Sequence, residues 1–384
     1  MHPMDTVGSR RHLALVGLQY LLYFGVFGVY LPYFNLYCYH IGFSGPQIGF
    51  ISALRSVVLV VFALAWSVLA DRFQCRRAIF IGCSLASTVA WSFYLSTDRF
   101  APMLLVTLAY GIFYAPLISF LEAFSMDALG PRRRRYGTLR AWGSIGFIAV
   151  VLAMGQVLSR HPVQVIVPLI LAGSVLQALS AMALPRSAVG PRRPAWHGGR
   201  PLRQPRLWLF LGGAFLMLVS HGAYYGFFSI HLEQGGHSPS FIAATWALAS
   251  VAEIAAMLRS ERLFARFSLN QVLVFSFAAA ALRWILVWTV SAPAAVMATQ
   301  LLHALTYGAF HMASILYIDT RMPAEAKTLG QALNNAVTYG LGLMVGFFLN
   351  GYLFEMLGAR PLFLVSAGIA VAGGGLMAVA VKGK

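Results

Sequence analysis

Five charged residues lie inside apolar runs of the sequence or at the polar ends of those runs. They are Arg55, Glu122, Arg140, Glu253 and Arg283. If the runs cross a bilayer, a charge near its centre costs roughly 2.5–3.5 kcal/mol, even on an insertion scale that gives low penalties. Such residues are usually buried, paired and functional. Their signs allow two pairs, Glu122 with Arg140 and Glu253 with Arg283.

The first of these pairs has the chemistry to bind a polar solute. A carboxylate and a guanidinium together can hold several hydroxyl groups through charge-assisted hydrogen bonds. The guanidinium of Arg140 alone could bind a carboxylate through two parallel hydrogen bonds. The alternative is an ion pair that only holds two helices together. We favour the functional interpretation, because ionisable residues inside a membrane most often mark a functional site.

A second group of polar side chains recurs at intervals of four residues: His303, Tyr307 and His311. This spacing places them on one side of a helix. That side could bind solute or relay protons, or it could form hydrogen bonds between helices, which contribute little in membranes. Tyr33 and Asn35 could line a solute cavity from the first apolar run, although aromatic residues are also common at membrane interfaces.

No cofactor motif accompanies these residues. The sequence contains no nucleotide-binding loop, no metal-ligand cluster and no nucleophile elbow. Cys38, Cys75 and Cys83 have no metal-ligand spacing. We therefore expect neither a cofactor nor a bound metal, and neither a nucleotide-driven pump nor a hydrolase of the soluble type.

The elements that position these residues are predicted to be membrane-spanning helices. Hydrophobic residues make up 59% of the chain and charged residues 10%, with a mean hydropathy of +0.73, whereas soluble domains contain about 25% charged residues. A spanning helix needs about 20 mostly apolar residues, and runs of that length recur from end to end. We predict twelve spans, at 13–37, 46–70, 78–96, 102–127, 138–158, 163–184, 207–232, 239–258, 269–290, 294–319, 329–352 and 361–381.

The basic residues predict how these spans are oriented, because Lys and Arg concentrate in short cytoplasmic loops. Two of the 28 lie within spans, and only Arg99, Arg160 and Arg360 fall on one side; the other 23 belong to the opposite side. We therefore expect both termini in the cytoplasm and the protein in the cytoplasmic membrane. The formal charge of +17 is spread over short loops, which argues against a nucleic-acid partner.

The chain is predicted to consist of two related halves. Residues 185–205 are rich in Pro, Gly and Arg and predict an irregular cytoplasmic linker between two six-helix bundles, 1–184 and 206–384. Several residues recur at a constant offset of 194 positions, among them Gly42, Ser44 and Ile48, which reappear as Gly236, Ser238 and Ile242. Such a repeat predicts an all-α membrane protein with two six-helix pseudo-repeats around a central cavity.

Four strings of the sequence resemble the major facilitator superfamily. The string ADRFQCRR (70–77), after the second span, resembles the cytoplasmic loop motif of the superfamily, with Gln74 replacing the usual glycine. It places Asp71 and Arg72 at a cytoplasmic gate, as part of a breakable charge network, although a simple topological anchor is the alternative. Within the superfamily, three strings resemble the lac permease and phenylpropionate permease branch: YGTLRAWGSIGF (136–147), WALASVAEI (246–254) and QLLHA (300–304).

This resemblance implies a solute-binding role for residues on the fourth and fifth spans. Glu122 and Arg140 are similar to the carboxylate and arginine that hold the sugar in the lac permease, with the same 18-residue separation. Phe147 matches an aromatic residue that stacks on the solute. The solute itself stays open: the Glu122–Arg140 pair permits a sugar or a nucleoside, and the phenylpropionate-like strings permit an aromatic acid.

The resemblance also implies a set of proton-coupling residues in the second half. Glu253, Arg283 and His303 resemble the glutamate, arginine and histidine on spans 8, 9 and 10 of the lac permease. The family's proton-carrying glutamate lies one turn after the histidine, where this chain has Thr306. If a proton is carried, we therefore expect Glu253 to carry it.

Together these features predict a secondary active transporter, a monomer in the lipid bilayer that moves a small solute with H⁺ by alternating access. An uncoupled facilitator is one alternative. A sensor of transporter fold is another, but no appended signalling domain is recognisable in the sequence. An intramembrane enzyme would need a convergent acid–base or metal set, and the histidines are isolated, so we expect no enzymatic activity.

Overall fold

The computed structural model describes residues 10–185, 204–323 and 326–382, so most of the predicted linker lies outside the described residues. Within these ranges there are twelve helices long and apolar enough to cross a membrane, and no strand. This confirms the predicted twelve-helix fold. The helices are α1 Arg10–His40, α2 Gly45–Phe73, α3 Arg76–Ser96, α4 Phe100–Arg132, α5 Tyr136–Leu158, α6 Val163–Met182, α7 Pro205–Gln234, α8 Pro239–Leu258, α9 Leu269–Thr289, α10 Pro293–Arg321, α11 Leu329–Leu357 and α12 Pro361–Val381.

Local sequence signals set where several of these helices begin. At the start of α9, the Ser268 side chain accepts a hydrogen bond from the Gln271 backbone N–H at 3.3 Å. In return, Gln271 Oε1 accepts from the Ser268 N–H at 2.9 Å. This reciprocal capping box satisfies backbone donors that have no partner within the helix. The Ser238 side chain caps α8 by accepting a hydrogen bond from the Phe241 N–H at 3.3 Å.

The internal repeat extends to the backbone conformation. Gly42, after α1, has a φ of +91°, and its counterpart Gly236, after α7, has a φ of +78°. A residue with a side chain rarely adopts this conformation, whereas glycine does so at little cost. The turn that precedes the second helix of each half is therefore made in the same way.

Three helical features depart from the predicted pattern of simple spans. α4 is interrupted at Ala115–Pro116, where proline cannot donate a backbone hydrogen bond. α10 and α11 contain π-helical segments, Ala304–Ala309 and Asn335–Gly342. A short helix, Ser260–Arg266, lies between α8 and α9; it is too short and too charged to be found as a span.

The chain groups into two compact units, Met1–Ile41 with Val58–Arg193, and Gly42–Val57 with Pro194–Lys384. In the first unit, α1 packs mainly against α5 and α6. In the second unit, α12 packs mainly against α7 and α9. The first part of α2 belongs to the second unit, where the Gly45 N–H donates to the Glu355 carboxylate at 2.9 Å.

The crossing of α1 and α5 is close enough that the backbones touch. A Cβ added at Gly146 would meet the backbone of Leu21, and one added at Gly28 would lie 3.0 Å from the carbonyl oxygen of Phe147. Small residues allow such close approach between membrane helices. The crossing fixes the side chains of α5 against those of α1.

Candidate functional site

The first unit places Arg140 of α5 over two aromatic rings of α1. Its Cζ atom lies 3.9 Å from the centre of the Phe24 ring and 5.5 Å from that of Tyr20. Gly143 leaves room for the Arg140 guanidinium, because a Cβ at position 143 would lie 2.7 Å from Nη1 of Arg140. A cation over an aromatic face is stabilised by about 0.5–2 kcal/mol. The half-buried guanidinium is thus held by rings rather than by a carboxylate.

Glu122 and Arg140 are neighbours but not a contacting ion pair. Glu122 is exposed on α4, and although the charge of Arg140 acts on it electrostatically, no ion pair within 4.0 Å joins the two side chains. α4 is instead tied to α1 by Ser125, whose hydroxyl donates to the Tyr20 hydroxyl oxygen at 3.0 Å. The two predicted solute ligands therefore share one region, with the donors of Arg140 unoccupied by any described acceptor.

The other predicted solute-binding residues of this unit lie on the same pair of helices. Phe147 is buried, with its ring centre 6.1 Å from that of Phe27. Tyr33 is fully buried and donates its hydroxyl to the Val151 carbonyl at 3.2 Å. Asn35 is half-buried. The Tyr33 hydroxyl thus joins α1 to α5, and the solute-binding roles of all three residues stay predictions.

The second unit buries Arg283 of α9 completely. Its guanidinium donates to Gln300 Oε1 at 2.9 Å, to His303 Nδ1 at 2.8 Å and to Thr306 Oγ1 at 3.3 Å, all on α10. Its Cζ atom also lies 4.3 Å from the ring centre of Tyr224 and 4.7 Å from that of Trp284. No carboxylate of a described residue lies within 4.0 Å, so Arg283 is stabilised by neutral acceptors and aromatic faces.

His303 links this arginine to Glu253. An arginine side chain can only donate hydrogen bonds, so Nδ1 of His303 must accept, and the neutral ring then carries its proton on Nε2. That atom lies 3.6 Å from Oε2 of Glu253, whose side chain is 25% exposed. The three predicted proton-coupling residues therefore form one chain, Arg283–His303–Glu253, with the carboxylate at its accessible end.

The predicted stripe on α10 is a stack of rings. The ring centres of His303 and Tyr307 lie 5.3 Å apart, and those of Tyr307 and His311 lie 6.0 Å apart. The π-helical segment of α10 lies between the two histidines. Nδ1 of His311 forms a hydrogen bond of 2.5 Å with the Tyr339 hydroxyl, in the π-helical segment of α11. π-Helical turns are frequent at functional sites.

Sequence reasoning missed three residues of this region: His221, Gln300 and Tyr339. His221 is fully buried on α7, bonds to the Met217 carbonyl oxygen at 2.8 Å, and packs edge-on against Trp284. The rule that selected Glu253, an ionisable group inside an apolar run, would also have selected His221. Gln300 is uncharged and entered only as the first residue of the string QLLHA, and Tyr339 is one of 16 tyrosines in the chain, so neither was identified as a site residue.

A charge network centred on Arg76 lies where α2 ends and α3 begins. This residue lies 3.5 Å from Asp71 and 3.6 Å from Asp127 of α4. Arg72 is exposed and lies over the Phe73 ring instead. Gln74 has a φ of +52°, in the left-handed region that favours glycine, and its amide donates to the Asp71 carbonyl oxygen at 2.6 Å. In this structure Asp71 therefore contacts Arg76 rather than Arg72.

Twelve spanning helices in two repeats, with charged residues held inside them, define a membrane transporter of the major facilitator type. The model of the MFS_1 like family matches residues 13–365, and the chain belongs to this family.

Two relatives and one solved structure are similar to this chain over nearly all of its length. The probable 3-phenylpropionic acid transporter of Escherichia coli is 27% identical, over 94% of this chain and 96% of the relative. The uncharacterized transporter YwbF of Bacillus subtilis is 25% identical, over 97% and 94%. The crystal structure of a mutant of the nucleoside transporter NupG has a TM-score of 0.88 at 17% identity, over 96% of this chain and all of that one, and shows the shared fold.

Proposed function

We propose that this transporter is a proton-coupled symporter of a small aromatic carboxylate, such as a phenylpropionate, acting by alternating access in the cytoplasmic membrane. The observation that carries the proposal is the Arg140 guanidinium, half-buried over Phe24 and Tyr20 and without an ion-pair partner within 4.0 Å among the described residues. A guanidinium in this state can offer two parallel hydrogen bonds to a carboxylate.

The surroundings of Arg140 favour an aromatic acid over a sugar. Phe24, Phe27 and Phe147 form a run of rings, with centres 6.2 Å apart for the first two and 6.1 Å apart for the last two. Aromatic pairs at such distances are stabilised by about 0.5–1.5 kcal/mol beyond the burial of their area. A solute phenyl ring can extend this run while its carboxylate meets Arg140. The likeness to the probable 3-phenylpropionic acid transporter supports the same class of solute.

The chain Arg283–His303–Glu253 supports proton coupling. His303 cannot take a second proton on Nδ1 without losing the 2.8 Å bond from Arg283, because both atoms would then be donors. The carboxyl group of Glu253 is partly exposed, so it can exchange a proton with water. Glu253 is therefore the proposed proton carrier. His303, which lies between the two residues, couples the charge of Glu253 to Arg283. One proton moved with one carboxylate also makes the load electrically neutral.

The test uses purified protein in proteoliposomes loaded with unlabelled 3-phenylpropionate. Exchange of labelled for unlabelled 3-phenylpropionate is expected, with competition by other aryl carboxylates and none by maltose or thymidine. Uphill uptake is expected only when the outside is more acidic than the inside. Competition by thymidine or maltose alone would overturn the solute class, and uptake indifferent to a collapsed proton gradient would replace the symporter with a facilitator.

A further inference from the structure

A long groove runs between α3 and α4 on the surface of the first unit. It has a volume of about 1100 Å³, whereas pockets for small molecules measure roughly 300–1000 Å³. Its lining extends from Ala86 on α3 to Thr97, just past the end of that helix, and from Pro102 to Phe113 on α4. Each stretch covers eleven residue steps, or roughly 16 Å at the helical rise. That length matches one leaflet of the hydrocarbon core, about 15 Å.

The walls of the groove are apolar and open to the outside. Val89, Phe93 and Leu105 line it and are 59%, 57% and 70% exposed. The surface of a spanning helix that carries large exposed apolar side chains faces lipid rather than water. The groove therefore suits an extended hydrocarbon chain that lies along the two helices.

One end of the groove is polar and carries two opposite charges on residues that are adjacent in the sequence. Asp98 and Arg99 line this end, next to Ser96 and Thr97. Both charged side chains are exposed, and neither forms an ion pair within 4.0 Å with any described residue. The carboxylate and the guanidinium thus present a matched pair of charges in the connection between α3 and α4, where a lipid headgroup is expected.

We propose that this groove is a binding site for phosphatidylethanolamine. One acyl chain lies in the apolar groove, the phosphate binds the Arg99 guanidinium and the ammonium binds the Asp98 carboxylate. The primary ammonium offers N–H donors to the carboxylate, which the quaternary ammonium of phosphatidylcholine lacks. Phosphatidylglycerol has no cation for Asp98. The charge pattern of the rim therefore favours this headgroup over those of phosphatidylcholine and phosphatidylglycerol.

The test measures lipid retention by native mass spectrometry of protein purified from equal mixtures of phosphatidylethanolamine, phosphatidylcholine and phosphatidylglycerol. The wild type is expected to retain phosphatidylethanolamine over the other two by roughly tenfold, as one charge-assisted hydrogen bond implies. Asp98→Asn should bring the preference over phosphatidylcholine close to one. Arg99→Gln should lower retention of all three lipids.

Two further variants keep the result interpretable. Ala109→Phe fills the groove without touching the charged rim, and it should abolish retention of the selected lipid. Arg160→Gln removes an arginine from another polar connection and should change nothing. Every variant is checked by its melting temperature and by a single peak in size-exclusion chromatography. An unchanged lipid preference in Asp98→Asn, or unchanged retention in folded Ala109→Phe, would overturn the proposal.

Discussion

At the residue scale, the two arginines differ in how their charge is stabilised. Arg283 is fully buried and directs its donors to three neutral acceptors on α10. Arg140 is half-buried, lies over aromatic rings and has no acceptor among the described residues. Because a guanidinium inside a membrane is costly unless it is paired, we propose that a solute carboxylate supplies the partner of Arg140.

Replacing Arg140 with lysine is expected to weaken solute binding at least tenfold while the protein still folds. Lysine keeps the charge but loses the planar fork that makes two parallel hydrogen bonds, and about 1.4 kcal/mol corresponds to tenfold in affinity. The measurement is the affinity for 3-phenylpropionate in a binding assay. Arg160→Lys is the matched control. Wild-type affinity in Arg140→Lys would show that this charge serves only the helix packing.

Replacing Glu253 with glutamine is expected to abolish uphill accumulation and to preserve exchange. Glutamine keeps the shape of the side chain but cannot ionise, so it imitates the protonated, loaded state. Exchange of outside for inside solute never visits the empty, deprotonated state, whereas net accumulation must. Proteoliposome uptake with and without a pH gradient separates the two processes.

Glu261 provides the control for this prediction. It is exposed on the short helix Ser260–Arg266, so Glu261→Gln removes the same charge without touching the chain Arg283–His303–Glu253. It should accumulate solute like the wild type. Near wild-type accumulation by Glu253→Gln itself would remove this residue from the coupling mechanism and point to Glu122 or His303.

The charged residues of both sites could be identified from the sequence for a physical reason. A charge inside an apolar run is recognisable without knowledge of the fold. Arg283 and His303 are only 20 residues apart and lie on consecutive spans, so their contact requires only that neighbouring helices pack together. Phe24 gave no such signal, because nothing distinguishes it from the other phenylalanines among the 28 in the chain. Its contact with Arg140 depends on the close crossing of α1 and α5.

At the element scale, the twelve spans were predictable because a helix that crosses the bilayer must be apolar along its length, and hydropathy measures this property directly. The π-helical segments of α10 and α11 were not predictable, since one extra residue in a turn leaves the hydropathy unchanged. Nδ1 of His311, just after the first segment, lies 2.5 Å from the hydroxyl oxygen of Tyr339, within the second. Two irregular helices thus meet at a hydrogen bond between side chains.

The variant Tyr339→Phe tests whether this bond only holds the helices together. Side-chain hydrogen bonds in membrane proteins contribute about 0.6 kcal/mol on average and about 1.7 kcal/mol at most. The free energy of unfolding is therefore expected to fall by no more than this. If the bond is only structural, transport should stay near the wild-type rate. A loss of transport above tenfold with a small change in stability would assign the pair to the transport cycle.

At the scale of the whole molecule, the repeat supplies both halves with the same turn, at Gly42 and Gly236, yet their charged sites differ. The first unit has a guanidinium over rings with a nearby exposed carboxylate, and the second has a buried arginine linked through histidine to a carboxylate. We infer a division of labour, with solute binding in the first half and proton handling in the second. Sequence similarity between the halves could not show this division, since it detects what they share.

The orientation of the molecule gives the last prediction. Arg99, Arg160 and Arg360 are the only basic residues assigned to one side, and 23 of the 28 are assigned to the other, so the linker and both termini are expected in the cytoplasm. Green fluorescent protein fused at Gly190 or after Lys384 should fluoresce, because it folds in the cytoplasm. Alkaline phosphatase at these positions should be inactive, and it should be active when fused at His161, in the connection between α5 and α6. A fusion of phosphatase at Gly190 that is active would invert the topology. It would also place Asp71 and Arg76 at the outer face, where their network could not act as a cytoplasmic gate.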